Sequence, residues 1–158
     1  MVHKEIILLA AVLLTGCGQK AQLKAVHETT QNDGQIAATI IAMEHAALDR
    51  WGKGDPSGFL EISASDMVYF DPSLDRRLDG LNELTKLYEN IRGKIFVDRY
   101  ELVNPKVQLC GDCAVLTFNY EGYSGGRIYR WNCTEVYRHQ NNRWEIVHTH
   151  WSQTKPSN

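Results

Sequence analysis

The sequence predicts an α+β domain, with helices first along the chain and a run of long antiparallel strands after them. Apolar residues recur at helical spacing from Ile36 to Trp51 and again from Leu81 to Ile91. Beyond residue 95, segments rich in β-branched and aromatic residues are separated only by short turns of Gly, Asn or Ser. We therefore expect three helices to pack on one face of an antiparallel sheet.

The first helix is predicted over residues 36–51, with an apolar stripe that ends at Gly52. Asp55 and Pro56 suit the N-cap and first turn of a short second helix that reaches Ile62. A third helix is predicted after Asp79, which would cap it, and Gly93 would end it.

The strands are predicted from the same change of periodicity. A short strand, "DMVYFDP", ends at Pro72. Four longer strands follow, and Asn104-Pro105 indicates a bulge in the first of them. The four predicted ranges are 96–110, 113–123, 127–139 and 143–152.

The N-terminal segment is predicted not to belong to the fold. Lys4 precedes an apolar run, Ile6 to Leu14, that is too short to span a bilayer and ends in "LTGC". This pattern resembles the bacterial lipoprotein signal, which implies removal of residues 1–16 and lipidation of Cys17. A buried N-terminal helix is the alternative.

The lipoprotein interpretation divides the chain into three parts and predicts its localisation. Residues 17–34 would be a flexible tether, and residues 35–153 the folded domain. Gly18 follows the cysteine where the inner-membrane retention signal has Asp, so we expect the outer membrane, facing the periplasm. The predicted localisation is therefore the cell envelope.

Composition excludes several classes of protein. The chain has 17 basic and 19 acidic residues, a net charge of −2, which argues against a nucleic-acid partner. Its 43% hydrophobic and 23% charged residues are typical of a globular domain, not of a disordered chain.

Cysteines matter because an envelope compartment is oxidising. Cys110 and Cys113 flank Gly111-Asp112, a spacing shared by redox motifs and by disulfides across a tight turn. Redox motifs of this kind begin a helix, and Gly-Asp favours a hairpin turn, so a structural disulfide is the preferred interpretation. Cys133 has no obvious partner.

The terminal hairpin decides which residues face the helices. A two-residue turn at Asn141-Asn142 would pair Arg138 with Glu145 and Glu135 with His148. A turn at Gly125-Gly126 would likewise pair Glu121 with Arg130 and Tyr120 with Trp131. In this register Glu135, His148 and His150 face inward, whereas Val147 and Trp151 face outward.

Three interpretations of the inward histidines compete. His148, His150 and Glu135 could bind a metal. Glu135 and His148, with Asp71 nearby, could transfer protons. The favoured interpretation makes the histidines hydrogen-bonded wall residues, with no metal.

The aromatic residues Trp51, Tyr69, Tyr88, Tyr120 and Trp131 could either line a cavity or fill a core. Inward polar groups need partners, which favours a partly open cavity.

Four segments carry a resemblance to the nuclear-transport-factor-2-like superfamily: "MVYFDP" (67–72), "LDGLNELTKLYEN" (78–90), "NPKVQLCGD" (104–112) and "TEVYRHQNNRWEIVHTHWS" (134–152). Within it the chain is most similar to the association (hub) domain of calcium/calmodulin-dependent protein kinase II and to SnoaL-like domains. The resemblance implies a cone-shaped curved antiparallel sheet closed by three N-terminal helices.

The resemblance implies little about function, because this fold carries enzymes, binding proteins and scaffolds. The hub places arginines in its cavity where this chain has Tyr120 and Glu135. Kinase activity is excluded by the absence of a Gly-rich loop, H-R-D and D-F-G. Asp71 is the only candidate for the base of the ketosteroid isomerases that share the fold.

These inferences combine into one expectation. The domain should bind a small, partly apolar molecule, use no cofactor, and form a homodimer or larger ring through Val147 and Trp151. The alternatives are an acid/base enzyme of the isomerase, cyclase or hydrolase type that uses Glu135 and His148, or a pure assembly module.

Overall fold

The computed structural model describes residues 16–154, with side chains from residue 31. The predicted signal peptide falls almost wholly outside these residues, and the side chain of Cys17 does so entirely. The chain divides into two units between Gly34 and Gln35, and the following description concerns the second. Among residues 16–154, none of the helices has the length and hydrophobicity of a membrane-spanning segment.

Helices and strands follow the predicted order, with one additional short strand. The helices are α1 (Gly16–Trp51), α2 (Ser57–Ile62) and α3 (Leu81–Ile91). The strands are β1 (Ser63–Phe70), β2 (Leu78–Asp79), β3 (Arg99–Cys110), β4 (Cys113–Ser124), β5 (Arg127–Gln140) and β6 (Arg143–Gln153).

The sheet is mixed, not purely antiparallel as the sequence predicts. Its strand order is β2-β1-β6-β5-β4-β3. Strands β3 to β6 form the expected antiparallel meander, whereas β1 lies parallel to β6. β1 and β6 can run parallel because a long connection, which includes α3 and strands β3 to β5, separates them along the chain.

The tight turns form where the sequence predicts them. Asn141 and Asn142 both have positive φ, 51° and 62°, as a two-residue hairpin turn requires. The Gly125-Gly126 turn likewise sets the Tyr120–Trp131 and Glu121–Arg130 pairs. Asn104-Pro105 forms the predicted irregularity in β3.

Two local predictions are corrected. Asp79 does not cap α3, because it lies in β2 and pairs with Arg77 at 2.6 Å. Gly80 takes the cap position with a φ of 87°, a conformation that favours glycine. The segment predicted as a tether is helical where the structure describes it, since α1 begins at Gly16.

Cys110 and Cys113 oppose each other across the β3–β4 turn, and both are free thiols in this structure. A bond between them stays a prediction.

Asp55 fixes the three helices to one another. Its carboxylate accepts hydrogen bonds from Arg50 of α1 and from Arg92 after α3, both at 2.7 Å. Hydrogen bonds from Ser57, and then from the two arginines, hold the pKa of Asp55 well below its usual range. The ends of the three helices are thereby tied together.

Candidate functional site

A cavity of about 540 Å³ lies between the helices and the inner face of the sheet. Its wall is mostly apolar and aromatic, with few charged groups. Nine of the nineteen wall residues are aromatic: Trp51, Phe59, Tyr69, Tyr88, Phe96, Tyr120, Tyr129, Trp131 and Trp151. The others are Leu48, Asp71, Ser73, Leu87, Ile91, Lys94, Ile95, Val97, Gly122 and Ser124.

The aromatic rings hold one another by edge contacts. Trp51 meets Tyr88 with ring centroids 5.0 Å apart, and Tyr88 meets Tyr69 at 6.0 Å. On the sheet side, the ring of Trp151 stands at 87° to that of Tyr120, 5.8 Å away. Such edge-to-face packing is the preferred aromatic geometry and keeps the rings in fixed positions.

Gly122 makes room for Tyr120 in the wall. A Cβ atom at position 122 would lie 2.7 Å from Cε1 of the Tyr120 ring and 2.8 Å from its hydroxyl. The ring therefore lies over the bare backbone of its own strand. Burial raises the pKa of Tyr120 to about 12, so this wall residue presents a neutral hydroxyl.

Five residues that the sequence suggests for a pocket do line the cavity: Trp51, Tyr69, Tyr88, Tyr120 and Trp131. Glu135 does not, although its side chain is fully buried. His148 and His150 do not line it either.

The predicted orientation of the two histidines is wrong, because β6 contains a bulge. Tyr137 pairs with Ile146 as predicted, but Val136 then pairs with His148 and Glu135 with Thr149. The additional residue reverses the facing of everything after Ile146, since successive side chains of a strand alternate between faces. His148 and His150 consequently lie beside the ring of Phe70, at centroid distances of 6.0 and 5.5 Å.

The same bulge corrects the predicted interface. Trp151 turns inward and packs against Phe118 and Tyr120, so it is a wall residue of the cavity and not an outer anchor. Val147 is the unpaired residue of the bulge and is half-buried.

Glu135 and His148 therefore form neither a proton-transfer pair nor a metal site. His148 pairs with Val136, the residue next to Glu135 in β5, so the side chains of Glu135 and His148 lie on opposite faces of the sheet. Within residues 16–154 no cluster of three His, Cys, Asp or Glu side chains is arranged to bind a metal ion. Burial, followed by the charge of His150, lowers the pKa of His148.

Among the described residues, Asp71 is the only carboxylate on the cavity wall. Its Oδ1 accepts hydrogen bonds from the backbone N–H of Ser73, at 2.8 Å, and from the Ser73 hydroxyl. Its Oδ2 accepts a bond from the hydroxyl of Tyr69, at 3.2 Å. The carboxylate is thus held in one orientation by neutral donors.

A second acidic group lies behind the aromatic wall. Glu44 of α1 and Glu135 of β5 are both fully buried. The hydroxyl of Tyr137 lies 2.8 Å from Oε2 of Glu135 and 3.1 Å from Oε2 of Glu44. The hydroxyl of Thr149 donates to Oε1 of Glu135 at 3.0 Å. We refer to Glu44 and Glu135 as the buried acid pair.

Burial, followed by the charge of Glu135, raises the pKa of Glu44 well above its ordinary value. Burial also raises the pKa of Glu135, against hydrogen bonds from Glu44, Tyr137 and Thr149 that lower it. Ionisation of both carboxyl groups is thus disfavoured in the folded protein, and the two titrate as one unit.

Sequence reasoning missed Glu44 and Trp151 at these positions, although signals for both exist. Glu44 falls in the buried stripe of α1, four residues after Ile40 and four before Leu48. Up to Ile146, the inward residues of β6 have even residue numbers. In the following "VHTHW" (147–151), the residues other than histidine have odd numbers, so the alternation changes phase. That change of phase is the signature of a bulge.

Comparison with known proteins supports this architecture. Residues 37–155 match the family described as calcium/calmodulin dependent protein kinase II association domain. No curated protein matches the chain.

Among solved structures, a "putative ketosteroid isomerase" from Parabacteroides distasonis is 42% identical, with a TM-score of 0.68 over 74% of this chain and 86% of that one. An NTF2-like protein of unknown function from Pseudomonas putida is 23% identical, with a TM-score of 0.68 over 75% and 87% of the two chains.

The CamKII hub homology domain of Chlamydamonas reinhardtii is 21% identical, with a TM-score of 0.62 over 76% and 98% of the two chains. At these lower identities the likeness shows the nuclear-transport-factor-2-like fold alone. The matched segment spans β1 to β6 and most of the helical side, and so includes the whole cavity. The chain therefore belongs to the calcium/calmodulin-dependent protein kinase II association-domain family.

Proposed function

We propose that this domain binds a small, mostly apolar molecule in its aromatic cavity. The observation that carries the proposal is the cavity itself, whose volume of about 540 Å³ lies in the range of small-molecule sites. A few polar groups, among them Asp71 and Ser73, interrupt its apolar wall and could fix the orientation of a ligand.

Two exposed aromatic residues of the wall indicate where the cavity opens to solvent. Phe96 and Tyr129 line it, yet they are 60% and 46% exposed. Large apolar side chains that are both exposed and part of a pocket wall are typical of an entrance. A ligand could therefore enter without unfolding of the helical side.

Self-association is part of the same proposal, with a second copy of the chain as partner. Family membership supports it, because the family is named for an association domain. Since Trp151 is turned inward, we assign the contact to the outer patch formed by Phe70, His148 and His150, in which Phe70 is 38% exposed. Phe70→Lys should break the oligomer into smaller assemblies in native mass spectrometry, whereas Ile128→Lys, at another exposed apolar position, should leave the oligomer intact.

We further propose that residues 1–16 are removed and that a lipidated Cys17 holds the domain on the envelope, facing the periplasm. The "LTGC" sequence supports this. Cys17→Ser should release the protein from the membrane fraction of a bacterial host.

Proton transfer in the cavity is a second candidate function. It is supported by the position of Asp71 on the wall and by the identity of 42% to the Parabacteroides distasonis protein. If Asp71 is a base, the protein should exchange deuterium into a ketosteroid, and Asp71→Asn should abolish the exchange.

Binding can be tested with 1-naphthalenemethanol, a neutral and mostly apolar probe, by calorimetric titration. Ile91→Trp should fill the cavity and abolish binding, because Ile91 lies on its wall. Asn82→Trp adds the same side chain at an exposed position of α3 and should bind as the unmodified protein does.

Gly122→Ala is a second variant, which displaces Tyr120 without adding bulk to α3. It should weaken binding while the circular dichroism spectrum stays unchanged. Equal binding by all four proteins would contradict a ligand site in this cavity.

A further inference from the structure

We propose that the cavity selects an organic cation, a protonated or quaternary amine attached to an apolar body. This inference rests on the proposed ligand-binding function and names the class of ligand. It is carried by the aromatic wall, by the partners of Asp71 and by the placement of the other charged groups.

The aromatic wall suits a cation. The face of an aromatic ring carries partial negative charge, and a cation within about 6 Å of the ring centroid is attracted to it. Rings come to the cavity from several directions: Trp51 from α1, Tyr88 from α3, Tyr120 from β4 and Trp151 from β6. A compact ammonium group could thus contact more than one ring.

Asp71 supplies a formal negative charge, and no cationic side chain of the described residues lies beside it. Its partners are the neutral groups of Ser73 and Tyr69. No Lys, Arg or His of the described chain lies within ion-pairing distance of it, whereas Asp55, Asp66 and Asp79 all pair with arginines. Oδ2 accepts only the bond from Tyr69, so one of its lone pairs is available to a ligand.

The acidic groups behind the wall bring no positive charge that would oppose a cation. Tyr88 lines the cavity, and burial, followed by the nearby acidic groups Glu135, Asp71 and Glu44, raises its pKa above the ordinary value. An anionic ligand in the same place would be repelled.

Lys94 is the one basic residue on the described wall, and it does not neutralise Asp71. Its side chain is exposed, and its Nζ donates to the backbone oxygen of Asn90 at 2.7 Å, at the C-terminal end of α3. The ammonium group is thereby held at the outer edge of the cavity, where water screens its charge.

A matched pair of probes tests the inference: benzyltrimethylammonium and its neutral isostere neopentylbenzene, titrated into the full chain. The cation should bind about 10-fold more tightly, the size expected for a desolvated cation–π contact with one added charge. This preference should fall as the salt concentration rises.

Variants assign the preference to one carboxylate. Asp71→Asn should reduce cation affinity about 10-fold and leave the neutral isostere within about twofold. Asp75→Asn, at an exposed neighbouring position outside the wall, is the matched control and should change neither. Lys94→Met should raise cation affinity slightly.

The outcomes separate the two proposals. If neopentylbenzene or 1-naphthalenemethanol binds as tightly as the cation, cation selection is overturned while ligand binding stands. If no probe binds, both are overturned. If the cation is preferred but Asp71→Asn and high salt leave the preference unchanged, the assignment to Asp71 is overturned.

Discussion

Asp71 and the buried acid pair are both acidic groups near the same cavity, but their surroundings differ. Asp71 lies on the wall, partly exposed, and its carboxylate is held by the neutral donors of Ser73 and Tyr69. Glu44 and Glu135 lie behind the wall, without solvent contact, and both are within hydrogen-bonding distance of the Tyr137 hydroxyl. One group can meet a ligand, whereas the other joins α1 to the sheet.

The difference shows that burial alone does not indicate a functional carboxylate. A carboxyl group without solvent or ligand access contributes to stability and pH dependence, and a partly exposed one can contribute to binding. Substitutions at the two places should therefore affect different measurements.

The largest effect is expected for Glu135→Ala. The substitution leaves a void beside β6 and removes the acceptor of the Thr149 hydroxyl. We expect the free energy of unfolding to fall by about 2–4 kcal/mol. Chemical denaturation measures this, and Glu121→Ala, which breaks a partly exposed pair with Arg130, should cost at most about 1 kcal/mol.

Glu44→Gln should change how stability depends on pH. The pKa of Glu44 is raised in the folded protein, so the folded state binds more protons than the unfolded state above the ordinary value of 4.5. The free energy of unfolding therefore falls as pH rises through this window, by up to about 1.4 kcal/mol per pH unit.

Glutamine keeps the hydrogen bonds of protonated Glu44 and cannot ionise. The variant should unfold at higher denaturant than the unmodified protein at pH 8, with little difference at pH 4. A variant that is less stable at both pH values would contradict a raised pKa of Glu44 in the folded protein. Glu83→Gln, on the exposed face of α3, is the control.

Asp71→Ala should give the opposite result to Glu135→Ala. Because Asp71 is partly exposed and bonded only to close neighbours, the free energy of unfolding should change by less than about 1 kcal/mol. Binding of benzyltrimethylammonium should nevertheless weaken about 10-fold. A stability loss as large as that of Glu135→Ala would remove the distinction between the two groups.

The smallest effect is expected for His148→Ala. The imidazole lies on the outer face beside Phe70, so affinity for 1-naphthalenemethanol should change by less than about twofold. In a proton NMR titration of the unmodified protein, His148 should titrate below the ordinary histidine pKa of 6.5, because it is partly buried and faces His150.

The two halves of β6 show how far the sequence predicts the site. From Asn142 to Ile146 the pairing with β5 agrees with prediction, because the turn residues and the apolar alternation indicate the same register. After Ile146 the turn residues and the apolar alternation indicate different registers. Extending the register set by the turn places His148, His150 and Trp151 on the wrong face of the sheet. Only packing decides in favour of the bulge, which places an indole and not two imidazoles against Phe118 and Tyr120.

Tertiary pairing also limits the fold prediction. The order of helices and strands follows from periodicity, but the parallel contact of β1 with β6 joins segments about 80 residues apart. Nothing local in "MVYFDP" indicates that partner. The cap of α3 was wrong for a related reason, since Asp79 is drawn into a short strand with β1.

The most direct test of the cavity uses its tryptophans. The chain has four, and the cavity wall includes Trp51, Trp131 and Trp151 but not Trp144. The protein can be labelled with 5-fluorotryptophan and titrated with 1-naphthalenemethanol while fluorine NMR spectra are recorded. We predict that the resonances of Trp51, Trp131 and Trp151 shift together and saturate, and that the resonance of Trp144 does not move. Shifts confined to Trp144, or no saturable shift at Trp151, would contradict the account.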